Sequence, residues 1–165
     1  MNPNYRISPL HWGFLFAPKD KPIERGDVRR DSILWHIRTD DRRQNPWVFE
    51  TRIVNHCLSE TLVARVLIAK FERADDAVRI GFILGRLPIR QNDINFTCRV
   101  WTIDAIHSLH ALRLVNLHIP LVMLEETISK FSRKHQHKMV DLRDDSSSSH
   151  DERENKHSAI LDLRE

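Results

Sequence analysis

Two kinds of side chain in this sequence can share acyl-transfer chemistry. One is a thiol that attacks as thiolate, and the other is an imidazole that takes and returns its proton near neutral pH. The chain has two cysteines and ten histidines, so setting decides which of them matter. Cys98 follows the polar loop Gln91-Asn-Asp-Ile-Asn95 and opens the series Cys98, Trp101, Ala105, Leu109 and Leu112. Those spacings of three, four, four and three predict an amphipathic helix beginning at Thr97 or Cys98. Unpaired N–H groups at the first turn of a helix favour a thiolate. Cys57 lacks that setting, and the plain alternative for Cys98 is a small buried hydrophobe.

Most of the histidines fall away. His107, His110, His135, His137, His150 and His157 lie on the outer face of a predicted helix or in the tail, and His56 and His118 lie in connections. His11 and His36 remain, on neighbouring predicted strands. His107 and His110 are spaced i,i+3 but lack a third ligand, so neither a metal nor a cofactor is expected. Beside Cys98, the backbone N–H of the cysteine and the side chains of Gln91 and Asn92 are the candidate partners for an oxyanion or substrate carbonyl.

The elements that must carry these groups read as an α+β fold. His11 to Ala17 is short, aromatic and closed by Pro18, which predicts a strand with His11 at its start. In Ser32 to Arg38, Ile33, Trp35 and Ile37 alternate with Leu34, His36 and Arg38, which places His36 opposite the most apolar face. Trp47 to Val54 has the β-branched and aromatic content of a third strand, and the three suggest an antiparallel meander. The apolar run from Leu62 to Phe71 fits a fourth strand or the end of a helix. Helices are expected from Asp75 to before Pro88, from Cys98, and from about Pro120 with Leu121, Leu124, Ile128 and Phe131 on one stripe. The expectation is about four strands and three helices in a single domain over residues 1–133.

Beyond Arg133 the sequence turns charged and serine-rich, including Ser146-Ser-Ser-Ser149, so 134–165 is expected to be a disordered tail. Its Ile160-Leu-Asp-Leu163 reads as a frayed end or a short docking motif. No apolar run is long enough to span a bilayer, and the N-terminus lacks the order of a signal peptide. A cytoplasmic or nuclear protein with free thiols is expected. The net charge of +3 comes from 26 basic and 23 acidic residues, and Arg29-Arg30 and Arg42-Arg43 sit beside aspartates. A nucleic-acid partner is therefore not expected.

The run His11-Trp12-Gly13-Phe14-Leu15-Phe16, then His36 after Trp35, then Cys98 with Trp101, resembles the circularly permuted papain-like hydrolases. Lecithin retinol acyltransferase-like and desumoylating-peptidase-like enzymes share that fold. A nearer likeness is to an uncharacterised group of fungal proteins. It rests on His11-Trp12, Pro18-Lys19, His36, Trp47 with Phe49-Glu50, Leu62 to Arg65, Gln91-Asn-Asp93, and Cys98 with Trp101. It spans about residues 10 to 130, and Thr97 stands where the acyltransferases have asparagine. The resemblance implies a cysteine-dependent hydrolase or acyltransferase in which Cys98 is the nucleophile, His11 the base and His36 its support. The substrate would be an ester, thioester or amide of a small molecule or peptide. The competing reading keeps the fold as a non-catalytic module for a protein partner, with His11 and Cys98 merely packing.

Overall fold

The computed structural model describes residues 10–18, 31–40, 46–55, 62, 64–73, 75–144 and 159–162, with side chains as far as 135. Three strands, β1 (Phe14–Phe16), β2 (Ser32–Thr39) and β3 (Trp47–Val54), form an antiparallel sheet in the order β1-β2-β3. Then come β4 (Ala64–Leu67), α1 (Asp75–Gly85), α2 (Cys98–Ala111), α3 (Leu121–Asp144) and β5 (Ala159–Asp162). The class is α+β, and the meander is the one the alternating residues predict. His11 lies three residues ahead of β1 rather than at its start.

The chain divides into two compact units. The first contains β1 to β3, α1 and α2 as far as Ile106. Register assigns its sheet faces. Phe14 and Phe16 pair with Trp35 and Ile33, and Ile37 pairs with Phe49, so these aromatic and branched residues share one face. The helices cover that face. A Cβ on Gly81 of α1 would stand 3.0 Å from the Trp35 indole, so glycine admits the helix closely there. On α2, Trp101 meets Phe14 and Phe49 at ring-centroid distances of 5.9 and 5.8 Å. Trp12, Trp35, Ile37, Ala77, Ile80, Leu84, Trp101 and Ala105 are buried. Three of the four tryptophans are thus core, and Trp47 is half-buried against Phe96. The α1 helix ends at Gly85, ahead of the expected stop at Pro88, as Arg86 and Leu87 turn back onto Ile83 and Leu84 with tighter bonds.

The second unit contains β4, the rest of α2 from His107, α3 and β5. Helix α3 runs on to Asp144, and Ala159–Asp162 pairs in parallel with Ala64–Leu67 as a separate two-stranded sheet. Helix α3 continues past Arg133 because Lys, His, Gln and Met are acceptable helix formers on a helix already anchored by Leu124 and Ile128. Residues 145–158 and 163–165 lie outside the described residues. Helix α2 ends in a left-handed residue, Arg113 (φ 57°), with Leu114 N–H donating to the Leu109 carbonyl and Arg113 N–H to that of His110. This is the paired bonding of a Schellman cap, with arginine where glycine is usual. No helix among the described residues is long and apolar enough to cross a membrane.

Candidate functional site

The site is built on the sheet face turned away from α1 and α2. His36 is one step out of phase with Trp35 and Ile37, so its ring leaves the helix-covered face, yet only 6% of the residue is exposed. Its cross-strand partner on β3 is Glu50, and its Nε2 lies 2.8 Å from Glu50 Oε2. The other carboxylate oxygen accepts from Arg38 Nε at 2.9 Å. On the opposite side of the ring, His36 Nδ1 lies 2.6 Å from His11 Nε2, and the two imidazoles meet edge to face. Gly13 makes this approach feasible, since a Cβ there would stand 2.9 Å from both the His36 Cβ and the Trp35 carbonyl oxygen.

The proton arrangement follows from Glu50, because an ionised carboxylate only accepts. His36 Nε2 therefore donates to Glu50. With both rings neutral, His36 Nδ1 accepts, His11 Nε2 donates to it, and His11 Nδ1 is left as an unprotonated base. Partial removal from water, with repulsion from His36 adding to it, holds His11 below the ordinary imidazole value and favours that neutral form. Burial acts to raise the Glu50 carboxyl, but the hydrogen bonds and charges of Arg38 and His36 outweigh it and hold it below its usual range. The result is a polar chain, Arg38–Glu50–His36–His11, that ends in an exposed imidazole.

Cys98 occupies the position the sequence predicts. Thr97 caps α2, with Val100 N–H donating to Thr97 Oγ1 at 3.3 Å, so Thr97 serves as the N-cap and Cys98 is the first helical residue. The preceding loop is latched to the helix by Arg90, which stacks over Phe96 and pairs with Asp93 and Asp104. The thiol is half-buried. The structure joins His11 to His36 but does not join Cys98 to them, and no hydrogen bond links its sulfur to either ring among the described residues. Helix α2 packs through Trp101 on the Phe14 and Phe49 face, whereas His36 and Glu50 project from the other.

Gln91 is engaged with the backbone of β3. Its amide accepts from Trp47 N–H at 3.0 Å and donates to the Trp47 carbonyl at 2.7 Å, pinning the start of β3 as a short neighbouring strand would. Asn92 is exposed in the adjoining turn. Cys57 and His56 lie outside the described residues. Of the other histidines, His110 is tied through Nδ1 to the Val115 carbonyl at 2.9 Å. No group of three metal-ligating side chains occurs among the described residues.

Glu50 and Arg38 are the members of the site that the sequence did not reveal. Their signal is a carboxylate directly opposite a strand histidine, and it becomes visible only once the β2–β3 register is known.

An α+β chain with a carboxylate-backed pair of histidines beside a three-stranded meander is the class that fold and site define. The chain belongs to a family of unknown function, DUF6914, whose model matches residues 3–156. No curated protein and no solved structure matches it.

Proposed function

We propose that the protein is a hydrolase or acyltransferase acting on an ester, thioester or amide, with His11 as general base and Cys98 as nucleophile. The observation that carries this reading is the hydrogen-bonded chain from Glu50 through His36 to His11, which leaves the Nδ1 of an exposed histidine as its basic end. Carboxylate-backed imidazoles of this kind orient a base and stabilise the imidazolium formed during proton transfer. The resemblance to permuted papain-like enzymes points the same way, with Cys98 at the first turn of α2.

In this scheme His11 Nδ1 removes the thiol proton and Cys98 Sγ attacks the carbonyl carbon. The oxyanion is held by the N–H of Cys98 at the first turn of α2. Collapse breaks the bond to the leaving group, which takes the proton from His11, and water or an amine then releases the acyl group from sulfur. Gln91 stays with Trp47, and Asn92 is free to meet substrate. The step requires the thiol to come within reach of His11, an approach that catalytic groups often complete only with substrate bound.

The packing of α2 on the face opposite His36 favours a second reading, a non-catalytic module in which the polar chain is structural and the partner is a protein. One experiment separates the two: the rate of Cys98 alkylation against pH, in a Cys57→Ser background, with and without His11→Ala. An apparent thiol pKa well below about 8.5 that rises when His11 is removed supports the enzyme. An ordinary thiol indifferent to His11 overturns it in favour of the module.

A further inference from the structure

We propose that the outer edge of β3 is the contact through which two copies of this chain pair, antiparallel and about a two-fold axis at Thr51. In the three-stranded sheet β3 is an edge, with β2 on one side and no strand on the other among the described residues. The direction of its free groups follows from two bonds. Trp47 turns both its N–H and its carbonyl outward to Gln91, and the Pro46 carbonyl bonds inward to Asp40 N–H. Peptide groups alternate sides along an antiparallel strand, and the β2–β3 register is unbroken, so Phe49, Thr51 and Ile53 also face outward. No hydrogen-bond partner for their backbone groups occurs among the described residues.

Edge strands are ordinarily blunted by lysine, proline or a bulge. Trp-Val-Phe-Glu-Thr-Arg-Ile-Val has no lysine, proline or bulge, and Ile53 is 53% exposed. The sequence is also complementary to itself. Pairing Thr51 with the Thr51 of another copy sets Glu50 opposite Arg52, Arg52 opposite Glu50, and Phe49 opposite Ile53 twice. Thr51–Thr51 and the two Phe49–Ile53 pairs fall at hydrogen-bonding positions. The two Glu50–Arg52 pairs fall at the closer, non-hydrogen-bonding positions, where opposite charges attract most. The Gln91 clamp on Trp47 limits the ladder to Phe49–Ile53. Charge, apolar match and bonding phase thus all select a second copy as the occupant. Each Arg52 would reach the other copy's Glu50, linking assembly to the polar chain ending at His11.

The test is sedimentation equilibrium of the full chain up to about 300 µM, for wild type, Arg52→Glu and Thr51→Pro. The wild type is expected to dimerise. Arg52→Glu places two pairs of like charges across the axis and is expected to weaken the dimer about tenfold or more. Thr51→Pro removes an outward N–H that the monomer does not use, and is expected to abolish pairing. Should Thr51→Pro fail to fold by circular dichroism, Arg52→Glu decides, since that side chain is exposed. A wild type that stays monomeric, or a dimer indifferent to Arg52→Glu, overturns the proposal.

Discussion

The two sheets are built on opposite principles. In the meander, neighbours in space are neighbours in sequence, eight residues of β2 match eight of β3, and one face is sealed by Trp35, Ile37, Phe49 and Trp101. In the second unit, Ala64–Leu67 finds its partner in Ala159–Asp162, more than half the chain away, over only four residue pairs and in parallel. The closure entropy of so long a connection must be offset by a short ladder, whereas the meander closes short loops over a wide apolar surface. The comparison teaches where the robust part of the molecule lies, and the candidate site is on the robust part.

The sharpest way to break this contrast is Trp101→Ala. It removes a side chain 1% exposed that bridges β1 and β3, and is expected to cost about 3–5 kcal/mol in urea unfolding. The figure should fall toward the low end, since the indole N–H has no hydrogen-bond partner among the described residues and its loss carries no penalty. Ending the chain before Ala159 removes β5 and should cost about 2 kcal/mol, the net worth of a few backbone bonds. Hydrogen exchange should then show lost protection at Ala64–Leu67 with Ser32–Val54 unchanged. Protection lost across both sheets would mean that they are one cooperative structure.

Arg113→Gly relieves a left-handed arginine at the end of α2 and is expected to raise stability by about 0.5–1 kcal/mol, read as a higher urea midpoint. The smallest effect concerns acid. His11 binds its proton more weakly in the folded chain than in the unfolded one. Its contribution is therefore full above the ordinary value of 6.5 and declines as pH falls below it. Glu50, held low, contributes above its ordinary value of 4.5 and loses that contribution as pH falls further. Urea midpoints across this range should slope less between neutrality and the carboxylate range in His11→Ala than in wild type.

Much of the meander was legible because alternation in Ser32 to Arg38 reports a strand with one apolar face, and helix starts at Asp75 and Cys98 carry capping residues or apolar spacing. The nearness of His11 to His36 was legible from their places on neighbouring predicted strands, although His11 falls just ahead of β1. The role of Glu50 was not, because the loop before Trp47 leaves the β2–β3 register open by whole residues, and a slip of one would put His36 opposite Phe49 or Thr51 instead. The engagement of Gln91 was hidden for a related reason: a carboxamide beside a candidate nucleophile suggests an oxyanion donor, and only the fold shows it bridging the Trp47 peptide. The Ala64–Ala159 pairing lay beyond any local pattern, since four residues of each strand carry no period long enough to announce a partner.

Gly13 gives the imidazole pair a dependence that neither histidine reveals. The 2.9 Å that a Cβ would have from His36 and from the Trp35 carbonyl means that the spacing of two rings is set by the absence of a single carbon atom. Any other residue at that position would act as a wedge, lifting the segment before β1 and stretching the link between the rings while leaving every titratable group in place. The reach of the proton path is thus encoded in a residue that carries no titratable proton.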